Sequence, residues 1–291
     1  MAPIVRALGG GLYDGGRRAN IPGPGHSSDD RSVSLWLKGR RVIVHGFAGD
    51  DWRDVLADLR DRGLVDQAGC LLGSGSACNE VRLAPGTRRR LAAGLWGEGV
   101  AVDATPSARH LAQRGVAAPP DGLRHHPAAP AAIYAASGPR RPALMAAIRG
   151  ASNGEVVGVE ITYLTSGGDR ARLALPRKTI GLVPPGAAVR LWPAGSGLLV
   201  GEGVFTCLSA AARFGLPAWA LLSAGNLPAW RPPEGVRFVL IAGDRGAAGE
   251  AAAWRLATRL RDEGRRCAVR FPPAPFGDWN DAALAGVCGG E

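Results

Sequence analysis

The segment Arg237-Phe-Val-Leu-Ile-Ala-Gly-Asp-Arg-Gly-Ala-Ala-Gly-Glu-Ala-Ala-Ala-Trp-Arg-Leu-Ala-Thr-Arg-Leu260 decides the fold. A short apolar run ends at a single acid, Asp244, passes through glycines and becomes a long alanine-rich helix. Such a run, bounded by glycine and followed by a helix, reads as a buried strand feeding a crossover. The same alternation holds from about residue 187 onward. LLVGEG, AWALLSAG, RFVLIAGD and CAVRF read as strands, and VFTCLSAAARFG and EAAAWRLATRLRDEG as helices. Short apolar strands separated by helices predict a parallel sheet covered on both faces. Ligands of such sheets gather at the carboxyl ends of the strands.

Upstream the pattern differs. Residues 1–66 hold a polar loop (NIPGPGHSSDDRS), two alternating runs, SVSLWL and RVIVHGF, joined at Lys38-Gly39-Arg40, and the segment DDWRDVLADLRDRGL. In that segment Trp52, Val55, Leu56 and Leu59 recur at helical spacing, and Asp50 or Asp51 suits the N-cap. The stretch CLLGSGSACNEV reads as a linker, and helical patches follow at 88–96 and 106–114. Residues 116–142, rich in Pro and Ala, predict irregular surface chain with few internal contacts. After PALMAAIRG, EVVGVEITYL and ARLALP predict a hairpin turning at Ser166-Gly167-Gly168. The expected divisions are 1–66, a mixed α+β region at 67–186, and 187–291.

With 291 residues and 46% hydrophobic content, the chain can build a sizeable core. Its 35 basic against 25 acidic residues leave a formal charge of +10, which favours a polyanionic partner. Only Lys38 and Lys178 are lysines, and arginine suits bidentate phosphate recognition. The N-terminal stretch lacks a signal-peptide pattern and no apolar run reaches membrane-span length, so the expected location is cytoplasmic. The five cysteines, Cys70, Cys78, Cys207, Cys267 and Cys288, show no CxxC spacing and read as structural thiols.

Four acids fall at predicted strand ends: Glu202 after LLVG, Asp244 after VLIAG, and Asp278 and Asp281 in GDWNDAAL. Clustered carboxylates repel unless a cation neutralises them, and Mg²⁺ or Mn²⁺ suits such hard oxygen ligands in phosphoryl transfer. Gly201, Gly203, Gly243, Gly246 and Gly249 are expected to let backbone approach an anionic ligand. The helix starting near Glu250 would present free N–H groups to a phosphate. Arg245, Lys178 and Arg190 are the candidate phosphate or nucleic-acid contacts.

The segments GEGVFTCLSA, AWALLSAGNL, VLIAGDRGAAGEAAA and GDWNDAAL resemble the Toprim domain of phage- and plasmid-type primases. The likeness continues upstream through TPSARHLAQRGV, GVEITYL and KTIGLVPPGAAVRL, which resemble the middle region of those proteins. PGPGHSSDDRSVSLWL and VIVHGFAGDDWRDVLADL resemble their zinc-ribbon module. The resemblance implies a Rossmann-like Toprim sheet with flanking helices, preceded by a zinc-ribbon-like hairpin and helix and a mixed α+β middle region. It further implies Mg²⁺- or Mn²⁺-dependent nucleotidyl transfer, as in primer synthesis during DNA replication. Glu202 would be general base or ligand, with Asp244, Asp278 and Asp281 as further ligands. DNA, nucleotides, RNA and a separate helicase or replication protein become the expected partners, and a phage or mobile element the expected origin. No membrane is implied, and no GxxxxGK[ST] motif is present.

The sequence departs from that family twice. Asn20, Ile21, Gly46 and Asp50 stand where the zinc ribbon needs ligands, which leaves His26 without a tetrahedral set; no zinc is expected, and His26 and His45 read as ordinary polar residues. In the Asp-x-Asp-x-x-Gly segment one acid is replaced, by Gly246 in one register or Ala242 in the other. Three readings follow: a primase-like enzyme, a Toprim nuclease, and a Toprim shell that binds nucleic acid or a partner without turnover.

Overall fold

The computed structural model describes residues 1–27, 30–46, 51–72, 83–131, 139–173 and 176–286. They divide into two compact units, the first formed by 1–82 with 173–175 and the second by the remainder.

In the first unit, helix α1 (Ala2–Leu8) precedes strands β1 (Gly11–Tyr13), β2 (Arg18–Ile21), β3 (Val33–Lys38) and β4 (Arg41–Gly46), followed by helix α2 (Trp52–Asp61). The four strands pair antiparallel in chain order. Gly39, at φ +62, makes the tight β3–β4 turn at the expected Lys-Gly-Arg. The core gathers Ile4, Ile21, Leu35 and Leu59. Asp51 is the N-cap of α2, accepting the Arg53 N–H at 2.8 Å; Asp50 lies outside the described residues. Val55, Leu56 and Leu59 are buried, whereas Trp52 is 49% exposed under the Arg53 guanidinium, so the expected apolar face loses its first member. The expected hairpin and helix are thus the second half of this unit. Elements α1, β1 and β2 escaped the pattern because they are short and set among glycines. His26 meets the Asp30 carboxylate at 2.8 Å, and His45 is exposed on β4.

The second unit runs through α3 (Pro85–Gly97), α4 (Pro106–Gln113), β5 (Leu123–Pro130), β6 (Arg140–Arg149), β7 (Val156–Tyr163), β8 (Arg177–Gly181), β9 (Ala188–Arg190) and β10 (Gly197–Gly201). It continues through α5 (Val204–Phe214), β11 (Ala218–Ala220), a 3-10 turn (Leu227–Ala229), β12 (Phe238–Ala242), α6 (Ala247–Asp262), β13 (Arg266–Arg270) and α7 (Trp279–Leu284). One sheet of nine strands has the order β13-β12-β10-β11-β9-β6-β7-β8, with β5 also on β6. The first four strands are mutually parallel, and from β9 onward every pairing is antiparallel.

Side-chain alternation explains why β10, β11 and β12 are apolar throughout, while the edge strand β13 begins and ends in arginine. Leu199, Ala218, Ala220, Leu240 and Ala242 pack with α5 and α7 on one face. Leu198, Val200, Trp219, Val239 and Ile241 pack with α6 on the other.

Two expectations upstream are corrected. Within 116–142 the chain forms β5 and the start of β6, paired from Leu123↔Ala146 to Pro130↔Arg140 with a register shift near Pro127. The Ala129 methyl and both His125 and His126 are buried there, so the small and polar composition that suggested loose chain instead fits a crowded strand beneath α4. The chain does turn at Ser166-Gly167-Gly168, with the Leu164↔Arg170 bridge and the Ala171 N–H donating to the Tyr163 carbonyl oxygen at 2.8 Å, but this return is short, and the strand paired along β7 is β8, further along. Gly168, at φ +98, fits against the backbone of α4, which directs this turn into packing rather than a simple hairpin. Residues 174 and 175 of the expected second strand lie outside the described residues, as do 73–82 of the linker.

Candidate metal and anion site

Strands β10 and β12 are neighbours with Gly201 level with Ala242, so the register brings Glu202 and Asp244 out at the same end of the sheet. The glycines beside them fit the protein itself. A Cβ on Gly201 would lie 2.9 Å from the Ala242 carbonyl oxygen, one on Gly243 2.4 Å from the Phe271 ring, and one on Gly249 2.8 Å from the Asp244 carbonyl oxygen. Gly249 therefore lets the first turn of α6 press on the Asp244 backbone, a role in packing where approach of a ligand was expected. Only Gly246, at φ +108, faces open space.

Asp244 is held mostly out of water, and its carboxyl pKa is pushed up to about 7, first by burial and then by the charges of Glu202 and Asp278, with a smaller push from Asp281. The Thr206 hydroxyl donates to Asp244 Oδ1 at 3.3 Å and opposes the rise. Burial also raises Glu202, countered by the Ala224 N–H and by Arg177.

Within GDWNDAAL the residues divide their tasks. Asp278 caps α7 by accepting the Asp281 N–H at 2.8 Å. Trp279 packs edge-on against Phe214, and the fully buried Asn280 donates to the Arg114 carbonyl oxygen at 2.7 Å and to Ser209 Oγ at 2.9 Å. Asp281 is exposed. Asp244 feels the charges of the other three acids, yet among the described residues no three His, Cys, Asp or Glu side chains are gathered to hold a metal ion. The two observations agree if Glu202 and Asp244 are the inner pair and the acids of α7 act from further out. Burial first and acidic neighbours second disfavour the ionised form of Asp244, and a hard cation would offset both by binding its carboxylate oxygens; in this respect the residues fit Mg²⁺ or Mn²⁺.

The three expected phosphate contacts are spread apart. Arg245 donates through Nε to the Pro272 carbonyl oxygen at 2.9 Å, sits 3.7 Å from Glu250 and lies over Phe271, next to Asp244. Lys178 donates to the Ala131 carbonyl oxygen and lies over Tyr163, and burial lowers its pKa. Arg190 donates to the Gly150 carbonyl oxygen at 3.0 Å with its guanidinium over Trp219, and burial lowers it as well.

Three arginines that the sequence did not single out are brought together instead. Arg170 is lowered first by burial, then by the charges of Arg114 and Arg177, against which Glu160 acts. Arg177 is 4.0 Å from Glu160 and its charge reaches Glu202. Arg114 lies over Phe205, its Nε buried without a hydrogen-bond partner. Arg114 is half-buried while Arg170 and Arg177 reach the surface, and like charges that crowd at the mouth of a site favour a bound anion. The three stand at the end of α4, after a turn and at the start of β8, so no local spacing signals their meeting.

Comparison with known proteins assigns the chain in pieces. Residues 197–287 match the Toprim domain, and residues 86–191 match a domain of unknown function, DUF7146. No curated protein matches. Among solved structures, the primase fragment of the bacteriophage T7 primase-helicase protein is 18% identical, with 92% of this chain and 94% of that chain covered at a TM-score of 0.39. A DNA primase domain from Pseudomonas aeruginosa is 17% identical, with coverage of 67% and 74% and a TM-score of 0.44. The zinc-binding and RNA polymerase domains of the Aquifex aeolicus primase are 12% identical, with coverage of 98% and 79% and a TM-score of 0.45. Residues 197–287, which supply Glu202, Asp244, Asp278 and Asp281, are therefore a Toprim domain.

Proposed function

We propose that the protein is a primase-like enzyme that joins nucleotides on a nucleic-acid template at the carboxyl end of its parallel strands. The observation that carries the reading is Asp244, half-buried beside Glu202 with its pKa pushed up to about 7 by burial and neighbouring acids. Glu202 and Asp244 would hold Mg²⁺ or Mn²⁺, with Asp278 and Asp281 contributing from α7. A cation bound there supplies charge neutralisation for phosphoryl transfer. The chain's own residues do the rest. Where Glu202 is not itself a ligand, its carboxylate, raised by burial, would accept a proton from an attacking hydroxyl. Arg114, Arg170 and Arg177 would orient the phosphates, with Arg245, next to Asp244 in the chain, as a further contact. The expected partners, DNA, RNA and nucleotides, fit the net charge of +10, and a separate helicase would supply unwinding.

A second reading, a Toprim shell that binds without turnover, is favoured by one observation: Asp278 is engaged as a helix cap and Asp281 points to water, which leaves two inner acids. The test is template-dependent incorporation of labelled nucleotides on single-stranded DNA with Mg²⁺ or Mn²⁺, run beside a DNA cleavage assay. Incorporation lost in Glu202→Gln supports the primase reading. Cleavage without incorporation assigns a nuclease, and neither activity alongside intact DNA binding assigns the shell.

A further inference from the structure

The outer side of α6 carries an aromatic and arginine patch that the acid site does not use. Trp254 is 47% exposed, on a helix whose leucines, Leu256 and Leu260, are fully buried. Its ring centroid is 6.0 Å from that of Phe271, the planes tilted at 54°. Arg245 lies over Phe271 at 5.5 Å, and Arg261 lies over Trp254 at 6.0 Å, the outer limit of a cation–π contact, so Arg261 is not firmly seated. Phe271 packs where a Cβ on Gly243 would clash, one residue before Asp244, which makes the patch continuous with the acid site. Strand β13 beside it is a sheet edge, and its Arg266 and Arg270 are exposed, which opposes addition of a further strand by a protein partner.

An exposed indole gives a face on which any base stacks, and arginines on either side suit the phosphates before and after it. We infer that Trp254, flanked by Arg245 and Arg261, is a stacking platform for single-stranded nucleic acid running to or from the acid site. The inference rests on the nucleic-acid part of the proposed function.

The test is fluorescence anisotropy of a labelled oligo(dT) over a salt series with wild type, Trp254→Ala, Trp254→Phe and Arg261→Glu, each checked by thermal melting. Trp254→Ala is expected to weaken binding by about tenfold, at an unchanged salt slope, because stacking is not ionic. Trp254→Phe is expected to recover most of it. Arg261→Glu, which leaves the aromatic packing in place, is expected to weaken binding and to lower the salt slope by about 0.7 or more. Wild-type binding that Trp254→Ala and Arg261→Glu leave within twofold overturns the platform alone. Loss in Trp254→Ala that Trp254→Phe does not recover also overturns it. No wild-type binding at any salt overturns both the platform and the nucleic-acid reading.

Discussion

One sheet of the second unit joins two unlike halves. The parallel half, β13-β12-β10-β11, ends in carboxylates, whereas the antiparallel half, with α4 and the turn before β8, brings up three arginines. Each half alone holds charges that repel one another. On the proposed function they would offer a cation and a polyphosphate opposite sites, with Glu202, which feels the Arg177 charge, between them. The difference teaches where each half carries a group disfavoured in its charged form, Asp244 in one and Arg170 in the other, which under the proposed function ligands of opposite sign would relieve.

The largest effect should break the acid half. Glu202→Gln is expected to lower nucleotide incorporation by at least about a hundredfold, comparable to removal of an acid–base group, with little change in DNA affinity; single-turnover incorporation and anisotropy together check this. Asp244→Asn sharpens the same half through stability. The folded carboxyl titrates near 7 against 3.8 unfolded, so its ionised form opposes folding. That handicap is absent below pH 3.8, grows as pH rises, and is complete above about 7, where it is of order 4 kcal/mol before relaxation by water. The cation-free variant should therefore melt several degrees above wild type at pH 8, and the gap should shrink toward pH 4. A gap that is absent or independent of pH contradicts the raised carboxyl.

Asn280 ties the halves together, since its amide reaches Arg114 on one side and Ser209 on the other. Asn280→Ala is expected to cost about 1–3 kcal/mol through the partners left unpaired, read as a lower denaturation midpoint of the second unit. Arg170→Gln probes the arginine half. Its loss should raise the nucleotide KM about tenfold, in keeping with one charge-assisted hydrogen bond, and leave stability undiminished because crowding by Arg114 and Arg177 is relieved. The smallest effect belongs to Lys178→Met. With its ammonium committed to the Ala131 carbonyl and Tyr163, incorporation should change by less than about twofold while the melting temperature falls.

The two halves also differ in how far the sequence displays them. Strands β10 and β12 are apolar on both faces and run out at glycine, so runs such as FVLIA announce strand, length and open end together, and Glu202 and Asp244 could be placed with them. Strand β5, LRHHPAAP, carries two prolines, a bulge and two buried histidines, and its partners, not its composition, make it a strand. Arg114 and Arg170 are hidden for a related reason: their meeting depends on Gly168 packing the turn against α4, a contact across more than fifty residues. The glycines near the acids were visible, but their task was not, because a Cβ clash with Phe271 or with the Asp244 carbonyl exists only in the assembled fold.

The most direct test of the acid half is calorimetric titration of the wild type with Mg²⁺ and Mn²⁺, beside Asp244→Asn and Glu202→Gln, at fixed moderate salt. The expected result is saturable binding in the wild type that both substitutions abolish. Absence of binding in the wild type, or binding that survives both substitutions, would contradict a cation site at these strand ends.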